Sequence, residues 1–152
     1  MSRFILFVAV LLSATNALAA VSLSGTRLIF DGRFAEASLL VLNRSNHEVL
    51  IQAWLSAADN VNGSPQASDK DLPFVLTPHL SRLDPQAKQA LRVMYQGQGM
   101  PQTAESLMHL YVLEIPRKVA GANQLSIAIR QRINVFFRPP GLSDDPAQTP
   151  QR

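Results

Sequence analysis

Residues Asn123 to Pro139 read NQLSIAIRQRINVFFRP. The odd positions Leu125, Ile127, Ile129, Ile133, Val135 and Phe137 are apolar, with Gln131 the only break, and Ser126, Arg130, Arg132, Asn134 and Arg138 fill most of the even ones. A period of two is the mark of a half-buried β-strand, here with one apolar and one cationic face. The stretch is about three times the usual strand length, so part of it is expected to reach beyond its own sheet. An apolar edge strand of that length is an aggregation hazard unless a partner pairs with it.

Working outward, the segments before it carry the same period. Val21 to Phe30 (VSLSGTRLIF) reads as a first strand bent at Gly25, and Glu36 to Asn43 as a second. His47 to Ser56 is a third, holding the single Trp54, which is expected against the core. Ala57 to Asp71 is nearly all turn formers and reads as a surface loop. Phe74 to Leu76 is a brief strand, Leu80 to Pro85 a bend, and Gln89 to Tyr95 another strand. Ser106 to Ile115 is apolar on both faces, as a central strand should be. About seven strands with frequent turns, and no helical period, predict an all-β fold: a single-domain, seven-stranded antiparallel immunoglobulin-like β-sandwich.

Met1 to Ala19 lies outside this pattern. Arg3, an apolar run from Phe4 to Leu12 and a closing Ala17-Leu18-Ala19 read as a secretory signal peptide, too short in its apolar part to span a bilayer. Cleavage after Ala19 would leave 152 − 19 = 133 residues, one domain's worth, and loss of Arg3 would take the formal charge from +3 to +2. The chain has no cysteine, so stability rests on packing in an exported compartment. Residues 141 to 152 (GLSDDPAQTPQR) read as a disordered tail.

Catalytic chemistry finds no support in these residues. His47, His79 and His109 are far apart, there is no nucleophile elbow and no glycine-rich phosphate loop, so no enzyme, metal or cofactor is expected. The cations are scattered rather than clustered, which argues against nucleic acid, and no other segment is long and apolar enough for membrane insertion. Asn43-Arg44-Ser45 and Asn62-Gly63-Ser64 fit the N-glycosylation pattern but carry little weight. The better lead is the face bearing Arg130, Arg132 and Arg138, whose guanidinium forks suit carboxylates or phosphates, although a solvated strand face would look the same.

Several short motifs recur in a familiar order: Thr26-Arg27-Leu28-Ile29-Phe30, Asn43, Gln52-Ala53-Trp54, Pro73-Phe74, Thr77-Pro78, Arg82-Leu83, Leu91-Arg92-Val93, Glu105-Ser106-Leu107, Ile115-Pro116 and Phe136-Phe137-Arg138-Pro139. On these, residues 20 to 140 resemble the N-terminal domain of the periplasmic chaperones of chaperone–usher pilus systems. The resemblance implies that the last strand is lent to pilus or fimbrial subunits, completing their unfinished sandwiches, with Leu125, Ile127 and Ile129 as the inserted side chains. Burying three such side chains would contribute about 1.5 to 3 kcal/mol each before ordering costs.

The resemblance also implies an anchor for the subunit's C-terminal carboxylate, made by two cations. Arg27 matches the first, but the family's lysine falls on Asn134, and Arg132, two residues earlier on the same face, is a candidate substitute. Glu105 and Arg138 match an acidic and basic pair that ties the family's two domains together. The family's second domain has no counterpart after Pro139 in this sequence. The usher is a further partner implied by the resemblance. The alternative expectation is an exported structural sandwich of a pilus system that self-associates through the same strand as a homodimer.

Overall fold

The computed structural model describes residues 20–60, 72–117, 121 and 126–142. The signal peptide, most of the Ala57–Asp71 loop, Asn62, Leu125 and nearly all of the C-terminal tail therefore lie outside the described residues.

Among the described residues nine strands form two sheets, matching the all-β expectation. They are β1 (Val21–Leu23), β2 (Arg27–Asp31), β3 (Glu36–Asn43), β4 (Val49–Ala57), β5 (Phe74–Thr77), β6 (Leu80–Leu83), β7 (Lys88–Tyr95), β8 (Ser106–Pro116) and β9 (Ile129–Arg138). One sheet runs β1-β3-β7-β5 and the other β2-β9-β8-β4-β6. The count exceeds the expected seven for two physical reasons. The first strand is cut in the Gly25 region, its halves joining different sheets, and the segment expected as a bend at Leu80 pairs with β4 as an edge strand. The peptide bond between Thr77 and Pro78 is cis.

Between the sheets, alternate residues supply the core: Leu28 and Phe30 of β2, Leu39 and Val41 of β3, Val49, Ile51, Ala53 and Leu55 of β4, Leu91 and Val93 of β7. From β8 and β9 come Met108, Leu110, Val112, Ile133, Val135 and Phe137. One end is closed by aromatic packing, with Phe137 4.8 Å from Tyr95, 5.6 Å from Phe74 and 5.7 Å from Phe30, centroid to centroid. Aromatic pairs at these separations add to area burial.

Trp54 departs from expectation. It is buried, but its parity is opposite to the core-facing residues of β4, and it stacks flat on Tyr111 at 5.3 Å on the outer face of the five-stranded sheet. Burial on both faces is what makes β4 and β8 so apolar.

Asn43 is wholly buried and fully used. Its amide nitrogen donates to the carbonyls of His47, Leu83 and Asp84 at 2.7, 3.2 and 3.0 Å, and its oxygen accepts from Ser45 N–H and Oγ–H. An asparagine that satisfies buried backbone in this way is a structural pin, in keeping with the little weight given to Asn43-Arg44-Ser45 as a glycan acceptor.

Candidate functional site

The last strand is not an edge along its whole length. Residues 134–138 pair with β2 in parallel (Arg27↔Asn134 through Asp31↔Arg138) and, on the other side, with β8 in antiparallel register. Residues 129–133 keep β8 (Ile129↔Glu114 through Ile133↔Leu110), but among the described residues no strand pairs with their other edge. The cause is the break in the first strand: its earlier half, β1, pairs with β3 in the opposite sheet. The open edge expected from the sequence thus covers only the first half of β9.

The odd-numbered face of the last strand keeps one parity while its surroundings change. Phe137, Val135 and Ile133 are buried in the chain's own core, Gln131 is half-buried, and Ile129 and Ile127 are 41% and 63% exposed. Leu125, the third residue expected on this face, lies outside the described residues, and Ile127 precedes the paired strand. Two large apolar side chains on an unpaired edge offer both a hydrogen-bonding ladder and alternate knobs to an incoming strand.

The even-numbered face lies on the outside of the sheet. Arg27 of β2, Asn134 of β9, His109 of β8 and Ser56 of β4 are register partners in one row across four strands. The structure therefore brings Arg27 and Asn134 together as neighbours, about 4.8 Å apart in backbone. Arg132 sits one step back toward the open edge, roughly 7 Å along the strand, opposite Tyr111. Arg27, Asn134 and Arg132 are all exposed, and among the described residues no ion pair engages either arginine. Arg130 places its guanidinium carbon 5.3 Å from the Tyr111 ring centroid, a cation–π contact.

His109, set aside in the sequence as one of three scattered histidines, joins this row only because the register places it beside Asn134. Its side chain is 8% exposed. Burial, and next the nearby Arg132 charge, hold the imidazole below its ordinary pKa, while the Asn134 side chain acts in the opposite sense by hydrogen bonding. Near neutrality this row consequently carries its positive charge on Arg27, with Arg132 alongside.

Glu105 and Arg138 meet each other directly, Arg138 Nη1 lying 2.7 Å from Glu105 Oε1 with the guanidinium largely buried. The Arg138 carbonyl accepts Gly32 N–H at 2.7 Å, and a side chain at Gly32 would stand 2.8 Å from that oxygen. Beside them Arg33 binds the Asp31 carboxylate through Nε and Nη2, holding its pKa down to about 2. Among the described residues there is no cluster of three metal-ligating side chains and no helix long and apolar enough to cross a membrane.

Residues 20–143 match the family model described as pili and flagellar-assembly chaperone, PapD N-terminal domain. The chain is 40% identical over 154 residues to a probable fimbrial chaperone, LpfB, of Escherichia coli O157:H7, covering 98% of this chain and 63% of the relative. A crystal structure of the YadV chaperone superposes with a TM-score of 0.67 at 30% identity, covering 86% of this chain and 57% of that one. The SafB chaperone of Salmonella enterica, solved in complex with SafA pilin, is similar at TM-score 0.70 and 30% identity, with 86% and 59% covered. The chain thus spans about three-fifths of the length of these relatives.

Proposed function

Because the chain belongs to the pili and flagellar-assembly chaperone family, through its PapD-type N-terminal domain, we propose that it binds and stabilises pilus subunits by lending them the open first half of β9. The observation that carries this reading is the row Ile127 and Ile129, which continues the core-facing parity of Ile133, Val135 and Phe137 past the end of β2 into solvent. Leu125 extends the same parity in sequence. The solved SafB relative, captured with its pilin, supports the client class.

In this reading the subunit strand pairs with the unpaired edge of residues 129–133 and takes the isoleucines into its own core. The free C-terminal carboxylate of the subunit then lands on the row beside the edge. Arg27 supplies the charged fork, Asn134 a neutral amide donor in place of a second cation, and Arg132 a charge within side-chain reach. Glu105 and Arg138, already paired, present the junction at which a second domain or an usher would dock. Release into the periplasm follows removal of Met1–Ala19 as a leader.

Co-expression with a pilin and recovery on a tagged chain tests the proposal. Wild type should retain the subunit and Ile127→Asp should not; equal recovery of pilin by both sinks the donor-strand reading. A second reading rests on the same open edge: two copies could pair edge to edge as a homodimer. Sizing the purified chain without pilin separates the two, since a concentration-dependent dimer lost in Ile129→Asp favours self-pairing.

A further inference from the structure

At the end of the sandwich opposite the aromatic cluster, the core-facing residue of β8 is not apolar but Glu114, 5% exposed. The backbone N–H of Val21 donates to its carboxylate, whereas Oε2 is buried without any hydrogen-bond partner. Its register partners are Ile51 on β4 and Ile129 on β9, both apolar. Gln131, the nearest polar group on that face of β9, gives its amide to the Val21 carbonyl at 3.3 Å. Among the described residues no cation pairs with Glu114. A buried carboxylate with one oxygen idle is unfavourable unless an opposite charge or further donors meet it. Consistent with this, burial pushes the Glu114 pKa up, and the Val21 N–H offsets the shift only in part.

Val21 follows Ala20, the residue that cleavage after Ala19 turns into the first of the chain. Ala20 is held in place, its carbonyl accepting Arg44 N–H at 2.6 Å, and Ser22 Oγ accepts from Arg44 Nε at 2.8 Å. An amine at Ala20 lies one residue before the nitrogen that already holds the carboxylate, the two Cα atoms being about 3.8 Å apart. Hydrolysis of the Ala19–Ala20 amide consumes one water, leaves a carboxylate on the departing leader and frees an amine on Ala20. Near pH 7 that amine is mostly ammonium.

We infer that the α-ammonium of Ala20 is the partner of Glu114 Oε2, so that leader removal completes an ion pair pinning β1 over the end of the core. The inference rests on leader cleavage after Ala19 but not on subunit binding. Before cleavage the position holds a neutral amide and the carboxylate stays half-satisfied; after it, charge and donors arrive together.

The test uses the full chain exported with its own leader, with intact mass fixing the first residue. The α-amine is then titrated by nuclear magnetic resonance after isotopic dimethylation, in wild type and in Glu114→Gln, which keeps the side chain's shape. The amine pKa should lie about one unit above its ordinary value in wild type and return to it in Glu114→Gln. Acetylating the amine should lower the urea midpoint of wild type and leave that of Glu114→Gln unchanged. Equal amine pKa values in the two proteins, with Ala20 as first residue, refute the pair while leaving leader cleavage intact. A first residue other than Ala20 overturns both.

Discussion

The two halves of β9 share one residue pattern and live in different surroundings. In residues 134–138 the odd side chains are sealed in the chain's own core and both backbone edges are paired; in residues 129–133 one edge is open and the isoleucine parity runs out into solvent. The strand chemistry is the same, so the difference is made by β2, which ends at its Arg27 end beside Asn134 because the preceding residues have crossed to the other sheet. What a strand does here depends on where its neighbour stops.

The largest effect should separate the halves by stability. Phe137, buried against Phe30, Phe74 and Tyr95, should cost about 3–5 kcal/mol as Phe137→Ala, read as a loss in urea unfolding. Ile129→Asp, in the open half, should cost no more than about 1 kcal/mol in the same assay, even with its register partner Glu114 opposite. Pilin capture should nonetheless fall on the order of 100-fold, through lost burial and a charge forced into the subunit groove. Comparable unfolding costs for the two variants would erase the distinction between the halves.

Arg27→Ala probes the outer face next. Loss of a charge-assisted contact of about 1.5–3 kcal/mol predicts capture weakened roughly 10- to 100-fold by titration, with little change in melting. Asn134→Lys adds the absent cation beside Arg27 and should tighten capture; unchanged affinity would mean that Arg132 already serves or that no carboxylate docks there.

The smallest effect is a pH slope. His109 has its pKa lowered in the folded chain, so between that value and the ordinary one near 6.5 the unfolded chain binds more protons. Its contribution is therefore present above that window and lost as pH falls through it. Urea midpoints should decline on acidification in wild type and decline less in His109→Gln; parallel curves would show that the imidazole is not held neutral.

Much of this arrangement was legible in the residues. Period-two alternation marked the core face of the last strand, and motif order pointed to Arg27 and Asn134, which the parallel ladder then made neighbours. Alternation is local, however, while partnership is not. Nothing in VSLSGTRLIF says that its second half lies parallel to a strand over a hundred residues later, so the extent of the open edge was overestimated. Trp54 faces outward because Tyr111 waits on the adjoining strand, and His109 belongs to the Arg27 row because of antiparallel register alone. Glu114 sits in a run that reads as apolar on both faces, so neither its inward direction nor its idle oxygen can be seen without coordinates.

The crossing at Ser24–Thr26 has a mechanical side. Ser24 still bonds to the β3 sheet through Leu40, yet Arg27 already belongs to the other. Three residues reach about 10 Å at full stretch, close to the spacing of packed sheets. The segment, bent at Ser24 and Thr26, is thus a short covalent strap between opposite layers, which limits how far they can part on that side before β1 or β2 unzips. Load pulled through a strand docked on residues 129–133 would be shared by both layers.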